Sequence, residues 1–257
     1  MPELSDTGGG GAVMRVCALY PDLMNIYADR GNLLVLERRC AWRGIGFQLS
    51  SSGLGEALDG GRHDLYYLGG GQDRDQRLCA EDLLTNKREG LRRAAERGAV
   101  VLGVCGGYRL LGHSYVLGSE EIGGVGLLDL RTVREDGPRL IGNVAIEVDL
   151  DGAGEGAGGR VLAGFENHGG RTYLNPGQAP LGRVLSGHGN DGRTGMEGAI
   201  SGSTIGTYLH GPLLPKNSWF ADWLIARALR ISPEALAELP DELERDAHAG
   251  ALRAAGI

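Results

Sequence analysis

The chain has 257 residues, 42% hydrophobic and 23% charged, with a formal charge of −7, room for one large α/β domain or two small ones. The acid excess and scattered arginines exclude the clustered basic surface that phosphate neutralisation needs, so no nucleic-acid partner is expected. No apolar run approaches the roughly eighteen residues of a membrane span, and the acidic, Gly-rich start MPELSDTGGGGAVM has neither the basic nor the apolar part of a signal peptide, which predicts a cytoplasmic protein.

Residues 1–12 are expected to be a disordered tail, followed by a single domain over 13–257. VMRVCALYP (13–21) reads as a buried strand, RGNLLVLERRCAWRG (30–44) as a helix ending at a glycine, and GFQLSS (46–51) as a second strand. HDLYYLGGG (63–71) is a third strand closing in three glycines, 81–97 is helical, and GAVVLGV (98–104) has the unbroken apolar character of a strand buried on both faces. Strand, helix, strand, helix, strand predicts an α/β fold with a mostly parallel central sheet and flanking helices, whose ligands sit at the carboxyl ends of the strands. The second half reads as strands at 140–150, 159–167, 182–189 and 202–211 joined by Gly-rich turns, with 151–159 as a flexible loop. A helix over 215–231, entered through Pro215 or Asn217, and a last helix near 233–248 close the chain.

Four cysteines, Cys17, Cys40, Cys79 and Cys105, lie far apart without a C-x-x-C pair, so neither a disulfide framework nor a zinc site is indicated, and no His, Asp or Glu cluster has metal-ligand spacing. One of the four is placed unlike the others. Gly103-Val104-Cys105-Gly106-Gly107 has the form G-x-nucleophile-x-G, a sharp strand-to-helix turn in which side chains at 103 and 107 would crowd the backbone. A cysteine closing a buried strand is commonly a small hydrophobe; glycines on both sides and a helix behind favour an exposed nucleophile. The start of that helix favours a thiolate, and the Gly106 amide is placed to donate to an oxyanion.

A thiolate attacking an amide needs a general acid for the leaving nitrogen, and histidine suits neutral pH. His210 follows directly on the strand in GTYLHGP, so it too lies at a strand end. His113 falls two turns into the elbow helix, His63 begins a strand at the wrong edge, and His168 and His188 stay open, each also explained as a hydrogen-bonded loop residue. Arg139, at a strand entrance, is by itself an ordinary surface charge; its planar fork also fits a carboxylate.

GVCGGYRLLG, GFENHGGRTYL, YLHGPLLPKN and the opening YPDLMNIYADRGN occur in this order between about Met14 and Leu229. Together they resemble the class I glutamine amidotransferases, Cys-dependent glutaminases on a flavodoxin-like fold, and within them the branch of the cobyric acid synthases and GatD-type glutaminase subunits. The resemblance implies Cys105 as nucleophile, His210 as general acid and base, Arg139 as the holder of L-glutamine, and oxyanion donors at Gly106 and in the Gly69–Gly71 loop, with Gly71 the choice for that loop. It implies no cofactor on this chain. No G-x-x-x-x-G-K-[ST] phosphate cradle is present, so ATP is expected on a MurT-like Mur-ligase subunit in a heterodimer. That partner would use the ammonia to amidate D-glutamate in lipid II at the inner face of the bacterial membrane. Amidation of a cobyrinic-acid-type substrate, or a non-catalytic binding module on the same scaffold, are the alternatives. Many class I members carry a glutamate two residues past the histidine; here Pro212 stands there. A carboxylate from the partner is expected to complete the site, leaving the lone subunit a slow glutaminase. Loops 21–32 and GFENHGG are read either as part of the docking surface or ammonia path or, equally, as ordinary surface loops.

Overall fold

The computed structural model describes residues 11–25, 30–150 and 159–257. Most of the tail expected over 1–12, the loop at 151–158 and the middle of the segment 21–32 therefore lie outside the described residues. The first half of the chain runs β1 (Val13–Leu19), α1 (Arg30–Ala41), β2 (Gly46–Ser52), β3 (Leu65–Leu68), α2 (Asp73–Asp82), one π-helical turn (Leu83–Lys87), α3 (Arg88–Glu96), β4 (Val100–Val104) and α4 (Gly106–Leu111). Then come the short strands β5 (Ser114–Leu117), β6 (Glu120–Gly123) and β7 (Leu130–Arg134), followed by β8 (Leu140–Val148), β9 (Arg160–His168), β10 (Gly170–Leu174), β11 (Gly182–Ser186), β12 (Met196–Glu197), β13 (Ala199–Ser201) and β14 (Thr204–Thr207). The chain closes with α5 (Leu213–Lys216), α6 (Ser218–Leu229), a 3-10 turn (Pro233–Ala235) and α7 (Glu242–Ala255).

A six-stranded sheet in the order β13-β14-β4-β3-β1-β2 forms the centre, parallel except for the β13–β14 hairpin. Without its hairpin edge this is the flavodoxin-like order. Every residue of β3 and β4 is buried, as their unbroken apolar sequences require for strands covered on both faces. Helices α1 and α6 pack on each other and on the sheet, while α3 and α4 pack on β4. Two smaller sheets, β10-β7-β5-β6 and β12-β11-β8-β9, carry the second half.

Several boundaries differ from the sequence reading. The helix expected over 81–97 starts at Asp73 and passes through the π turn. The elbow helix stops at Leu111, where the His113 amide leaves the helical pattern to donate to the Leu130 carbonyl at 2.9 Å; the His113 ring therefore lies beyond it and bonds Asp129 at 2.9 Å. His63 precedes β3 rather than beginning it, and His168 is a buried residue of β9, not a loop histidine. The final helix falls at 242–255 instead of 233–248.

Arg39 and Asn217 fasten the C-terminal elements. Arg39, 1% exposed, donates to Asp222 at 2.6 Å and Asp241 at 2.7 Å, and Arg43 joins Asp222 at 2.8 Å. Asn217, fully buried ahead of α6, accepts from the Ala163 amide at 2.9 Å and donates to the Ala163 and Leu213 carbonyls at 2.7 and 2.8 Å. One side chain thus supplies the hydrogen bonds of a missing strand neighbour for β9. Asn217→Ala would strand three buried polar groups, each costing about 1–3 kcal/mol. The expected outcome is a loss of roughly 3 kcal/mol or more in urea unfolding; a loss below that of an ordinary surface substitution would contradict this role.

Candidate active site

Cys105 ends β4 in a conformation that non-glycine residues avoid, with φ 52° and ψ −102°. Such a residue costs on the order of 1–3 kcal/mol and persists only where its surroundings over-determine it. Here the surroundings are backbone. The Cys105 amide donates to the Thr207 carbonyl of β14 at 2.8 Å, and the Gly107 amide donates to the Gly69 carbonyl at 3.0 Å. A Cβ on Gly107 would collide with the Leu68 carbonyl, and one on Gly106 would stand 2.9 Å from the Gly71 nitrogen. The elbow glycines are therefore required by the approach of the β3–α2 loop. That approach places the Gly71 nitrogen against Gly106, the residue after Cys105.

His210 lies three residues past the end of β14, the strand paired with β4 in parallel with Thr207 beside Val104. Nucleophile candidate and histidine thus occupy the carboxyl ends of adjacent strands. The imidazole is 1% exposed, and its backbone forms a two-way bridge with Phe165 of β9, both hydrogen bonds 3.0 Å. Burial, then the nearby charges of His168, Lys216, Arg109 and Arg139, lower His210 from 6.5 to about 4. The ring is accordingly neutral through the physiological range, and its surroundings make it a weaker base than a free imidazole.

Glu197 sets the strand end ahead of His210. Its buried carboxylate accepts from the Tyr208 amide at 2.7 Å and the Thr207 hydroxyl at 3.0 Å, and that hydroxyl accepts from the Leu209 amide at 3.0 Å. Burial pushes this carboxyl up to about 8, against the pull of those hydrogen bonds. Arg139 is exposed just before β8; its Nε donates to the Asn167 side chain at 2.7 Å and its Nη2 to the Asn167 carbonyl at 2.8 Å.

The sequence reading missed two groups, Arg109 and Lys216, and left a third, His168, open. Arg109 is buried one helical turn after Cys105, its guanidinium over Tyr115 at 4.7 Å and 3.4 Å from the Tyr208 hydroxyl. Burial opposes its charge, but Tyr208, Cys105 and Tyr115 keep it protonated; the four-residue spacing was the available signal. His168 stacks on Tyr208 at 3.6 Å, donates from Nδ1 to the Gly170 carbonyl at 2.8 Å, and stands 3.7 Å from Glu166. Lys216, half-buried, folds over Gly211, and burial lowers its amine. The remaining thiols are buried and pushed up by burial, Cys17 and Cys40 to about 11 and Cys79 to about 12. Among the described residues no cluster fits a metal ion, and no helix is long and apolar enough to cross a membrane.

A parallel sheet with a cysteine elbow at one strand end and a histidine at the next is the architecture of a glutamine amidotransferase. PurLQS of Thermotoga maritima shares the fold with a TM-score of 0.57 at 20% identity, over 84% of this chain and 95% of that one. A glutamine amidotransferase from the same organism reaches 0.50 at 19% identity over 94% and 95%. Residues 15–218 match the CobB/CobQ-like glutamine amidotransferase domain, and the chain belongs to that family. It is 38% identical to the GatD subunit of the glutamine-hydrolysing lipid II isoglutaminyl synthase of Staphylococcus aureus over 80% of this chain and 81% of that one. The GatD subunit of Streptococcus pneumoniae is 36% identical over 84% and 81%. The cobyric acid synthase of Pelotomaculum thermopropionicum is 39% identical over 51% of this chain and only 27% of its own length.

A neutral buried imidazole has a signature in stability. The unfolded chain takes up a proton at His210 near pH 6.5 and the folded chain only near 4, so stability falls as pH drops through that window. Relative to His210→Gln, the wild type should lose on the order of 2–3 kcal/mol more between pH 7 and 4.5 in chemical unfolding. Parallel pH curves for the two proteins would show that the ring protonates as freely when folded as when unfolded.

Proposed function

We propose that this chain is the glutaminase subunit of a two-chain lipid II isoglutaminyl synthase. It hydrolyses L-glutamine to glutamate and passes the ammonia to a MurT-like Mur-ligase subunit, which uses ATP to amidate D-glutamate in the lipid II stem peptide at the cytoplasmic face of the membrane. The carrying observation is the strained Cys105 elbow fastened to β14, with His210 at the end of that same strand. Similarity to GatD subunits over four fifths of their length supports the choice of pathway.

In this reading neutral His210 takes the thiol proton and the Cys105 sulfur attacks the side-chain carbonyl of glutamine. Negative charge develops on the carbonyl oxygen, where the amides of Gly106 and Gly71 receive it; donors fixed in advance stabilise such charge without reorganisation. Buried Arg109 balances charge on the sulfur. The imidazolium returns its proton to the departing nitrogen as ammonia leaves, and a γ-glutamyl thioester remains. Water deprotonated by the same histidine then releases glutamate and restores the thiol. Arg139 holds the α-carboxylate, the group that separates free glutamine from a glutamine within a polypeptide. This chain needs no cofactor for those steps.

His210 has Pro212 where many class I amidotransferases have an orienting glutamate, and a carboxylate of the Mur-ligase subunit is the proposed replacement. Cys105→Ser should lower glutamine hydrolysis by more than about a thousandfold while leaving the thermal midpoint within a few degrees; unchanged ammonia release would remove the nucleophile assignment. Adding the purified partner should raise the wild-type hydrolysis rate at least about tenfold, the effect of about 1.4 kcal/mol on the barrier. Equal rates with and without it would refute completion of the site in trans.

A further inference from the structure

We propose that Asn167 is a positioning residue that sets the distance between the carboxylate anchor and the acid–base histidine, using β9 as a template. The proposal rests on the glutaminase reading and deepens it. Successive side chains of a strand alternate in direction, so Phe165 and Asn167 share one side of β9, about 7 Å apart. Phe165 is joined to His210 in both directions, amide to carbonyl and carbonyl to amide, at 3.0 Å each. Bridged residues of an antiparallel pair project to the same side, and the His210 ring meets the Phe165 ring edge-on with centroids 6.2 Å apart. Two residues along, Asn167 takes Arg139 at two points, Nε on its side-chain oxygen at 2.7 Å and Nη2 on its main-chain oxygen at 2.8 Å.

These contacts give the arrangement a consequence that neither Arg139 nor His210 has alone. A guanidinium on a long exposed side chain samples many rotamers, and two hydrogen bonds from one edge leave it one orientation. Its acceptors are an amide oxygen and a carbonyl, so its positive charge is undiminished, and Nη1 makes no hydrogen bond among the described residues. The fork therefore presents its outer edge to an anion from a place fixed relative to His210. A ligand that carries its reacting amide and its carboxylate at the two ends of one short chain has to match that spacing. Glutamine is such a ligand. The asparagine is suited to the task because a carboxylate there would hold the arginine equally well and cancel the charge that the substrate needs.

The test measures initial rates of ammonia release by the full-length chain with L-glutamine and with its α-methyl ester, which keeps the reacting amide and lacks the carboxylate. Asn167→Ala is expected to raise KM for glutamine about tenfold, the scale of one charge-assisted hydrogen bond, with kcat within about twofold and KM for the ester unchanged. Asn167→Asp, nearly isosteric and able to accept from Nε, should raise the glutamine KM at least as much and again spare the ester. A variant pair that leaves the glutamine KM alone, raises KM for both substrates equally, or lowers kcat for both would overturn the proposal. Wild-type chain that treats glutamine and ester alike would overturn it together with the assignment of Arg139. Ammonia release surviving in Cys105→Ser would instead strike the glutaminase reading itself.

Discussion

The close approach of the β3–α2 loop to the start of α4 is the constraint on which the site depends. Three glycines and one strained cysteine make it possible. With the Leu68 carbonyl against Gly107 and the Gly71 nitrogen against Gly106, neither residue after the cysteine tolerates a side chain. The Cys105 amide closes the arrangement by reaching across to Thr207. Ends of three neighbouring parallel strands, β3, β4 and β14, thereby meet at one point. That is where open α/β sheets place ligands, and here the convergence is held by main chain, which has few alternative conformations.

The second half of the chain adds the long-range control. Glu197 fixes the end of β14 from beneath, and β9 fixes His210 from the side through one bridge with Phe165. Besides burial, His168, Lys216, Arg109 and Arg139 all bear on the imidazole. In this setting the ring rests neutral.

Much of the first half was legible because β1, β4 and α1 have apolar spacing that only one period fits, and because G-x-C-x-G admits few backbones. The parallel order followed from alternation of strands and helices. The short strands β5 to β7 and β10 were not legible: segments such as SEEIGG and LRTVR are half polar and carry neither a clean alternation nor a turn signal. Helix α4 was read too long because the His113 amide is taken by the Leu130 carbonyl, a partner distant in sequence and invisible to local propensity. Cys105, His210 and Arg139 were singled out from motifs, and the model places the first two at adjacent strand ends. Arg109 escaped, and His168 stayed undecided, because burial of a charged or polar side chain is a property of packing, not of spacing.

All four thiols are buried, Cys105 at 4% exposed included, where the sequence reading expected an exposed nucleophile; the other three hold their protons up to about pH 11 or beyond. In the folded state they are silent toward electrophiles that attack thiolates. Among the described cysteines only Cys105 stands at a strained turn beside a buried cation, Arg109. A soft alkylating reagent applied to native protein would therefore count competent molecules rather than total cysteine, giving the enzyme a built-in titre of its own working fraction.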